Sequence, residues 1–145
     1  MTPEDPVVML VIEDDLGDQK LLRSALNNLS MPVVFSVHGT AEEALDYLNG
    51  SKAQDAMPRP NLILLDLNMP GMGGREFLRR IKQDEELCAI PVVVLTTSDS
   101  QSDIENCYKL HAAGYIQKPG TPAELRQIMT KVAEYWFTNS PLVRL

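Results

Sequence analysis

Three acids, a hydroxyl and a lysine each follow a short apolar run in this chain of 145 residues. Glu13 and Asp14, with Asp15 beside them, follow Val7 to Ile12; Asp66 follows Leu62 to Leu65; Thr96 follows Val92 to Leu95; Lys118 follows Tyr115 to Gln117. Carboxylates brought together repel, so a cluster of them needs a cation. Magnesium prefers oxygen ligands and keeps several waters, so one or two carboxylates plus a phosphate complete its shell. A lysine supplies fixed positive charge and a threonine a hydroxyl donor, and both suit a phosphoryl group. Positioning and charge neutralisation are what phosphoryl transfer chiefly requires. A carboxylate can itself form an acyl phosphate, which makes Asp66 the candidate nucleophile. Taken singly, each residue is ordinary, since an acid after a strand is commonly a turn residue or a helix cap. The joint pattern carries the reading, because each group ends a different run.

The elements that must position these groups are legible in the apolar spacing. Five runs, Val7 to Ile12, Val33 to Val37, Leu62 to Leu65, Val92 to Leu95 and the weaker Tyr115 to Gln117, read as strands. Continuous β-branched runs suit strands buried on both faces. Between them lie helical patterns. Gln19 to Asn28 has Leu21, Leu22, Ala25, Leu26 and Leu29 on one face, with Asp18 as its expected N-cap. Thr40 opens a second helix as a capping box with Glu43, ending near Gly50. Arg75 to Lys82 and Ser102 to Ala113 read as the third and fourth, the latter stopping at Gly114. Thr121, Pro122 and Glu124 start a fifth, whose core face is Leu125, Ile128, Met129 and Val132. Strand–helix alternation repeated in this way predicts an α/β fold: a doubly wound, five-stranded parallel sheet with five helices. In such a sheet the site lies outside the carboxyl ends of the strands, where the acids, Thr96 and Lys118 converge. The segment 51–60, with Pro58 and Pro60, reads as a surface insertion of unassigned role.

Composition narrows the function further. The length corresponds to one domain, and 44% hydrophobic with 23% charged residues is ordinary globular usage. A net charge of −7 repels phosphate backbones and argues against direct nucleic-acid binding. The apolar runs fall far short of the ~20 residues of a membrane span. The N-terminus lacks the pattern of a secretory signal, so a cytoplasmic location is expected. Cys88 and Cys107 form no disulfide framework and are expected to be packing residues. His111 is expected on a helix surface or in packing, and His38 in a loop. Only eight residues are aromatic, and Tyr135, Trp136 and Phe137 are consecutive.

The motifs Val11-Ile12-Glu13-Asp14-Asp15, Leu64-Leu65-Asp66-Leu67-Asn68-Met69-Pro70 with Gly74, Val94-Leu95-Thr96-Thr97-Ser98 and Gly114-Tyr115-Ile116-Gln117-Lys118-Pro119 resemble those of two-component response regulators. The resemblance is to the single-domain, flavodoxin-like receiver of the CheY-like type. The intervals of 30 residues from Asp66 to Thr96 and 22 from Thr96 to Lys118 fit that family. It divides the chain into a segment 1–6, a receiver domain 7–136 and a tail 137–145. It implies that Asp66 is the phosphoacceptor, taking a phosphoryl group from a histidine kinase in a phosphorelay. Glu13, Asp14, Asp66 and the Asn68 backbone carbonyl would hold Mg2+, with Asp15 a neighbour outside the ligand set. Lys118 would pair with the acyl phosphate, Thr96 would move to bond it, and Tyr115 would rotate inward behind it, a two-state element biased by local charge. A cis Lys118–Pro119 bond is also implied. Two departures stand out: Gly73 where the family often has Asp, which would loosen the loop, and Gly120 where an apolar residue is common.

The stretch Ile90 to Ser98, Tyr108 to Ala112 and the ending Tyr135-Trp136-Phe137 resemble the small regulators paired with phytochrome-type histidine kinases. No DNA-binding domain fits after the fifth helix, so output is expected through protein contacts and a homodimer that uses the apolar tail. In this reading the protein is not an enzyme, although it takes part in its own phosphorylation and dephosphorylation. The alternative is an aspartyl-phosphate phosphatase of the haloacid-dehalogenase type. That family needs Asp-x-Asp, whereas this chain has Asp66-Leu67-Asn68. A flavodoxin-type cofactor carrier is discounted, because Glu13, Asp14 and Asp15 would repel a cofactor phosphate.

Overall fold

The computed structural model describes residues 7–52 and 58–139. Strands β1 (Val7–Ile12), β2 (Val33–His38), β3 (Leu62–Leu65), β4 (Val92–Thr96) and β5 (Gly114–Gln117) alternate with helices α1 (Leu16–Asn27), α2 (Ala41–Gly50), α3 (Gly73–Gln83), α4 (Gln101–Lys109) and α5 (Pro122–Ala133). The strands form one sheet in the order β2-β1-β3-β4-β5, with every pairing parallel. This is the doubly wound architecture expected from the alternation.

Side chains alternate across a strand, so each central strand feeds two cores. Leu10, Ile12, Ile63, Leu65, Val92 and Val94 pack under α2 and α3, with Phe77, Leu78 and Ile81 of α3 fully buried among them. Met9, Val11, Leu62, Leu64, Val93 and Leu95 face α1 and α5, against Leu22, Leu26, Leu125 and Met129. Strands covered on both sides can be apolar at every position, which is why β1, β3 and β4 lack polar alternation.

The helix starts follow cap chemistry, with one correction. Thr40 and Thr121 accept the Glu43 and Glu124 backbone N–H groups, as the Thr-x-x-Glu pattern predicts. For α1, however, the cap is Asp15 and not Asp18: Asp15 is extended, and its carboxylate accepts the Asp18 N–H at 2.8 Å. Asp15 comes first in the chain and caps the earlier turn, which frees the Asp18 side chain for another use. Helix α4 is also shorter than its pattern predicted. It ends at Lys109, and the chain turns through His111 at φ 70° before β5. His111 is therefore a turn residue, not a helix-surface or packing histidine, and Ala112 reaches the core from beyond the helix. Cys107 is buried as expected, but Cys88 is exposed in the loop after α3 and is not a packing residue.

Segment 53–57 of the insertion and 140–145 of the tail lie outside the described residues. The ends of the insertion are tied down: Lys52 pairs with Asp84 at 2.6 Å, Arg59 with Glu86 at 3.5 Å, and Tyr47 donates to the Pro58 carbonyl. After α5 the chain continues as a π-helical segment, Glu134–Asn139, that carries the aromatic run. Trp136 and Phe137 pack against the α1/α5 core, whereas Tyr135 is exposed.

Two glycines set the loop between β3 and α3. A Cβ at Gly74 would lie 2.5 Å from the Asp66 carbonyl oxygen and 2.7 Å from Leu67 Cα, so only glycine lets α3 seat on that loop. Gly73 adopts φ 77°, and a Cβ there would meet nothing. The departure at position 73 thus suits the backbone, because the left-handed conformation costs a glycine nothing. Gly74→Ala should lower stability by about 1–3 kcal/mol through overpacking, and Gly73→Ala by about 1 kcal/mol through strain alone. Urea unfolding checks the ranking; equal, negligible losses would contradict it.

Candidate functional site

The strand order reverses between β1 and β3, and the carboxyl ends of the strands meet there. This switch point is where open α/β sheets bind ligands. Ile12 pairs with Leu65, and the ladder extends one step further through the Asp66 N–H to the Ile12 carbonyl at 3.0 Å. Glu13 and Asp66 are therefore adjacent by register. On the far side, the Lys118 N–H donates to the Thr96 carbonyl at 2.7 Å, which sets Lys118 at the same edge.

The side chains converge as expected. One oxygen from each of Glu13, Asp14 and Asp66 lies within 4.8 Å of the others. Glu13 and Asp66 are 1% and 6% exposed, so two carboxylates are nearly withdrawn from water. The Lys118 ammonium compensates them, lying 2.5 Å from Glu13 Oε1, 2.9 Å from Asp18 Oδ2 and 3.4 Å from Asp66 Oδ2. Thr96 is fully buried, and its Oγ1 accepts from Asn68 Nδ2 at 3.3 Å. The Asn68 N–H in turn donates to Asp66 Oδ1 at 3.2 Å, and Gln19 Nε2 holds the Glu13 carbonyl at 2.6 Å. Tyr115 is half-buried, with its hydroxyl donated to the Ser98 carbonyl at 2.8 Å. No peptide bond among the described residues is cis, so Lys118–Pro119 is trans, contrary to the resemblance. With the trans peptide Lys118 still reaches all three carboxylates.

One participant was missed at the sequence level. Asp18 supplies the third carboxylate around Lys118, a role hidden by its reading as a cap. The available signal was Asp15, a second cap-capable residue three positions earlier.

The electrostatics are uneven. Burial pushes the Glu13 carboxyl up, to about 7, with the Asp66 charge adding to the rise and the Lys118 hydrogen bond opposing it. Burial alone would lower the Lys118 ammonium, but its bonds to Glu13 and Asp18 outweigh that and raise it. Burial and the shortage of positive charge together favour the protonated form of Glu13.

Residues 9–130 match the family profile of the response regulator receiver domain. The chain belongs to that family. It is 36% identical over 137 residues to response regulator Rcp1 of Synechocystis, covering 94% of this chain and 93% of the relative. Among solved structures, the phosphorylated cyanobacterial phytochrome response regulator RcpA superposes with a TM-score of 0.88 at 37% identity, covering 97% of this chain and all of that one. The Mn2+-bound form of Rcp1 superposes with a TM-score of 0.86 at 34% identity, covering 96% and 100%. None of these similarities supports the phosphatase alternative. In this receiver the position where that chemistry needs a second acid holds Asn68, which is bonded to Thr96.

Because folded Glu13 keeps a proton that the unfolded chain releases, its contribution to stability is full below pH ~4.5 and is lost as pH rises through about 7. In chelator, Glu13→Gln should therefore gain roughly 2 kcal/mol on the wild type between pH 5 and 8. Paired urea titrations check this; a pH-independent difference would contradict it.

Proposed function

We propose that Asp66 accepts a phosphoryl group from the histidine of a partner kinase, and that the kinase is of the phytochrome type. The observation that carries this is one buried carboxylate flanked by an acid pair on one side and an ammonium on the other. The likeness to a phosphorylated cyanobacterial phytochrome response regulator supports the pairing. In the transfer, an Asp66 oxygen attacks phosphorus, the P–N bond to the imidazole breaks, and the electron pair leaves with the ring.

The donor set fits a divalent cation: three carboxylate oxygens within 4.8 Å of one another are hard ligands, and Mg2+ takes such ligands while keeping waters for a phosphate. Glu13, Asp14, Asp66 and the Asn68 carbonyl would hold it. Bound there, the ion supplies charge neutralisation for the phosphoryl oxygens. Lys118 neutralises the added negative charge from the other side, Thr96 offers its hydroxyl, and Tyr115 follows the loop that carries Thr96. The receiver acts as an acceptor, with its own residues assisting gain and loss of the phosphoryl group.

Output runs through shape change and protein contact in the cytoplasm, without direct nucleic-acid binding, and through a homodimer. The acidic net charge supports the first. Among the described residues no helix is long and apolar enough to cross a membrane. The exposed Tyr135 beside the packed Trp136 supports an interface at the chain end.

Incubation with acetyl phosphate and Mg2+ should label Asp66, and chelator or Asp66→Asn should abolish the label. Lys118→Ala should slow labelling by about 10²-fold. Peptide mapping by mass spectrometry reads the site; undiminished labelling of Asp66→Asn would refute the assignment. Light scattering should give two protomers, with dissociation after deletion of residues 138–145; a monomer with and without phosphorylation would remove the dimer.

A further inference from the structure

Beyond the site, one cluster of charged and hydroxyl side chains joins three segments: the start of α3, the loop after β4 and the start of α4. Asp103, in the first turn of α4, pairs with Arg75 at the start of α3. Its other oxygen, Oδ2, accepts from the Ser98 hydroxyl at 2.6 Å, in the loop after β4. The Ser98 oxygen also accepts the Ser100 N–H at 3.3 Å, and Ser100 caps α4 by accepting the Asp103 N–H. The Ser98 carbonyl takes the Tyr115 hydroxyl. The loop two residues beyond Thr96 is thus closed onto α4 and β5 at once.

Arg75 gives this cluster its link to the chemistry. It follows Gly74, whose backbone approaches the Asp66 carbonyl so closely that no side chain fits between them. The start of α3 is therefore seated on the Asp66 loop, and Arg75 carries that position across to Asp103. Asp103 and Arg75 are 23% and 43% exposed, so as a surface ion pair they would be worth little to stability. Their value lies in geometry. Two ends of one carboxylate hold an element fixed to Asp66 and the loop that begins at Thr96.

We propose that Asp103 is a positioning residue for the phosphoryl site: bound to Arg75 and Ser98, it holds the Thr96 loop in register with the Asp66 loop and so sets the fraction of molecules ready to bind the phosphoryl group. The inference rests on reading Asp66 as the acceptor. A smaller ready fraction raises the apparent dissociation constant in proportion. Asp103→Ala releases both bonds, whereas Ser98→Ala releases the loop alone and leaves the charge at the start of α4.

The probe is beryllium fluoride with Mg2+, a phosphoryl mimic, titrated into the full chain. Each variant should bind it about fivefold more weakly. Before the mimic is added, amide exchange at residues 97–101 should quicken by a similar factor, with β1 and β3 unchanged. Wild-type affinity in both variants, or faster exchange spread over β1 and β3, would overturn the proposal. Should wild-type protein bind no mimic at Asp66, the acceptor reading fails, and exchange alone decides: unchanged rates at 97–101 overturn the latch, and faster rates confined there uphold it.

Discussion

The Lys118 ammonium lies within hydrogen-bonding or ion-pair distance of Glu13, Asp18 and Asp66, and a fourth acid, Asp14, stands beside them. One cation cannot balance four carboxylates, two of which are buried. Withdrawing charge from water is expensive unless it is paired. The receiver meets part of this cost with Lys118, and the remaining excess of negative charge suits a divalent ion. By the same imbalance a phosphoryl group, itself anionic, would fit there only together with a cation.

The rest of the fold exists to hold that arrangement. Parallel pairing brings the ends of β1, β3, β4 and β5 to one edge, and register places Asp66 beside Glu13 and Lys118 beside Thr96. The apolar cores on both faces fix the strands, so the polar residues just beyond them cannot relax apart. Gly74 lets α3 close on the Asp66 loop, and the Arg75–Asp103–Ser98 chain extends that contact to the loop after Thr96. A charge change at Asp66 is therefore felt first by groups already joined to it through Asn68 and Thr96.

Much of this was legible in the residues themselves. Val7 to Ile12, Leu62 to Leu65 and Val92 to Leu95 have no helical reading, because their runs are short, continuous and partly β-branched. The polar residue ending each run gave the site. What was not legible depended on competition or on tertiary contact. Asp15 and Asp18 are both good caps, and nothing local says which one wins. The loser became the third partner of Lys118, a contact spanning 100 residues. The fourth helix has its stop signal at Gly114, yet the chain already turns at Leu110 and His111. Cys88 sits among apolar and helical residues in the sequence, although its loop leaves it exposed. Asp103 gave no signal at all, since its importance lies in two partners brought together by folding.

The most direct test is a crystal structure of the receiver with beryllium fluoride and Mg2+. The account predicts beryllium bonded to an Asp66 oxygen, the metal on Glu13, Asp14 and Asp66, and Lys118 and Thr96 within hydrogen-bond distance of fluorine. Beryllium fluoride on another carboxylate, or an Asp66 left bare with Lys118 still on Glu13 and Asp18, would contradict it.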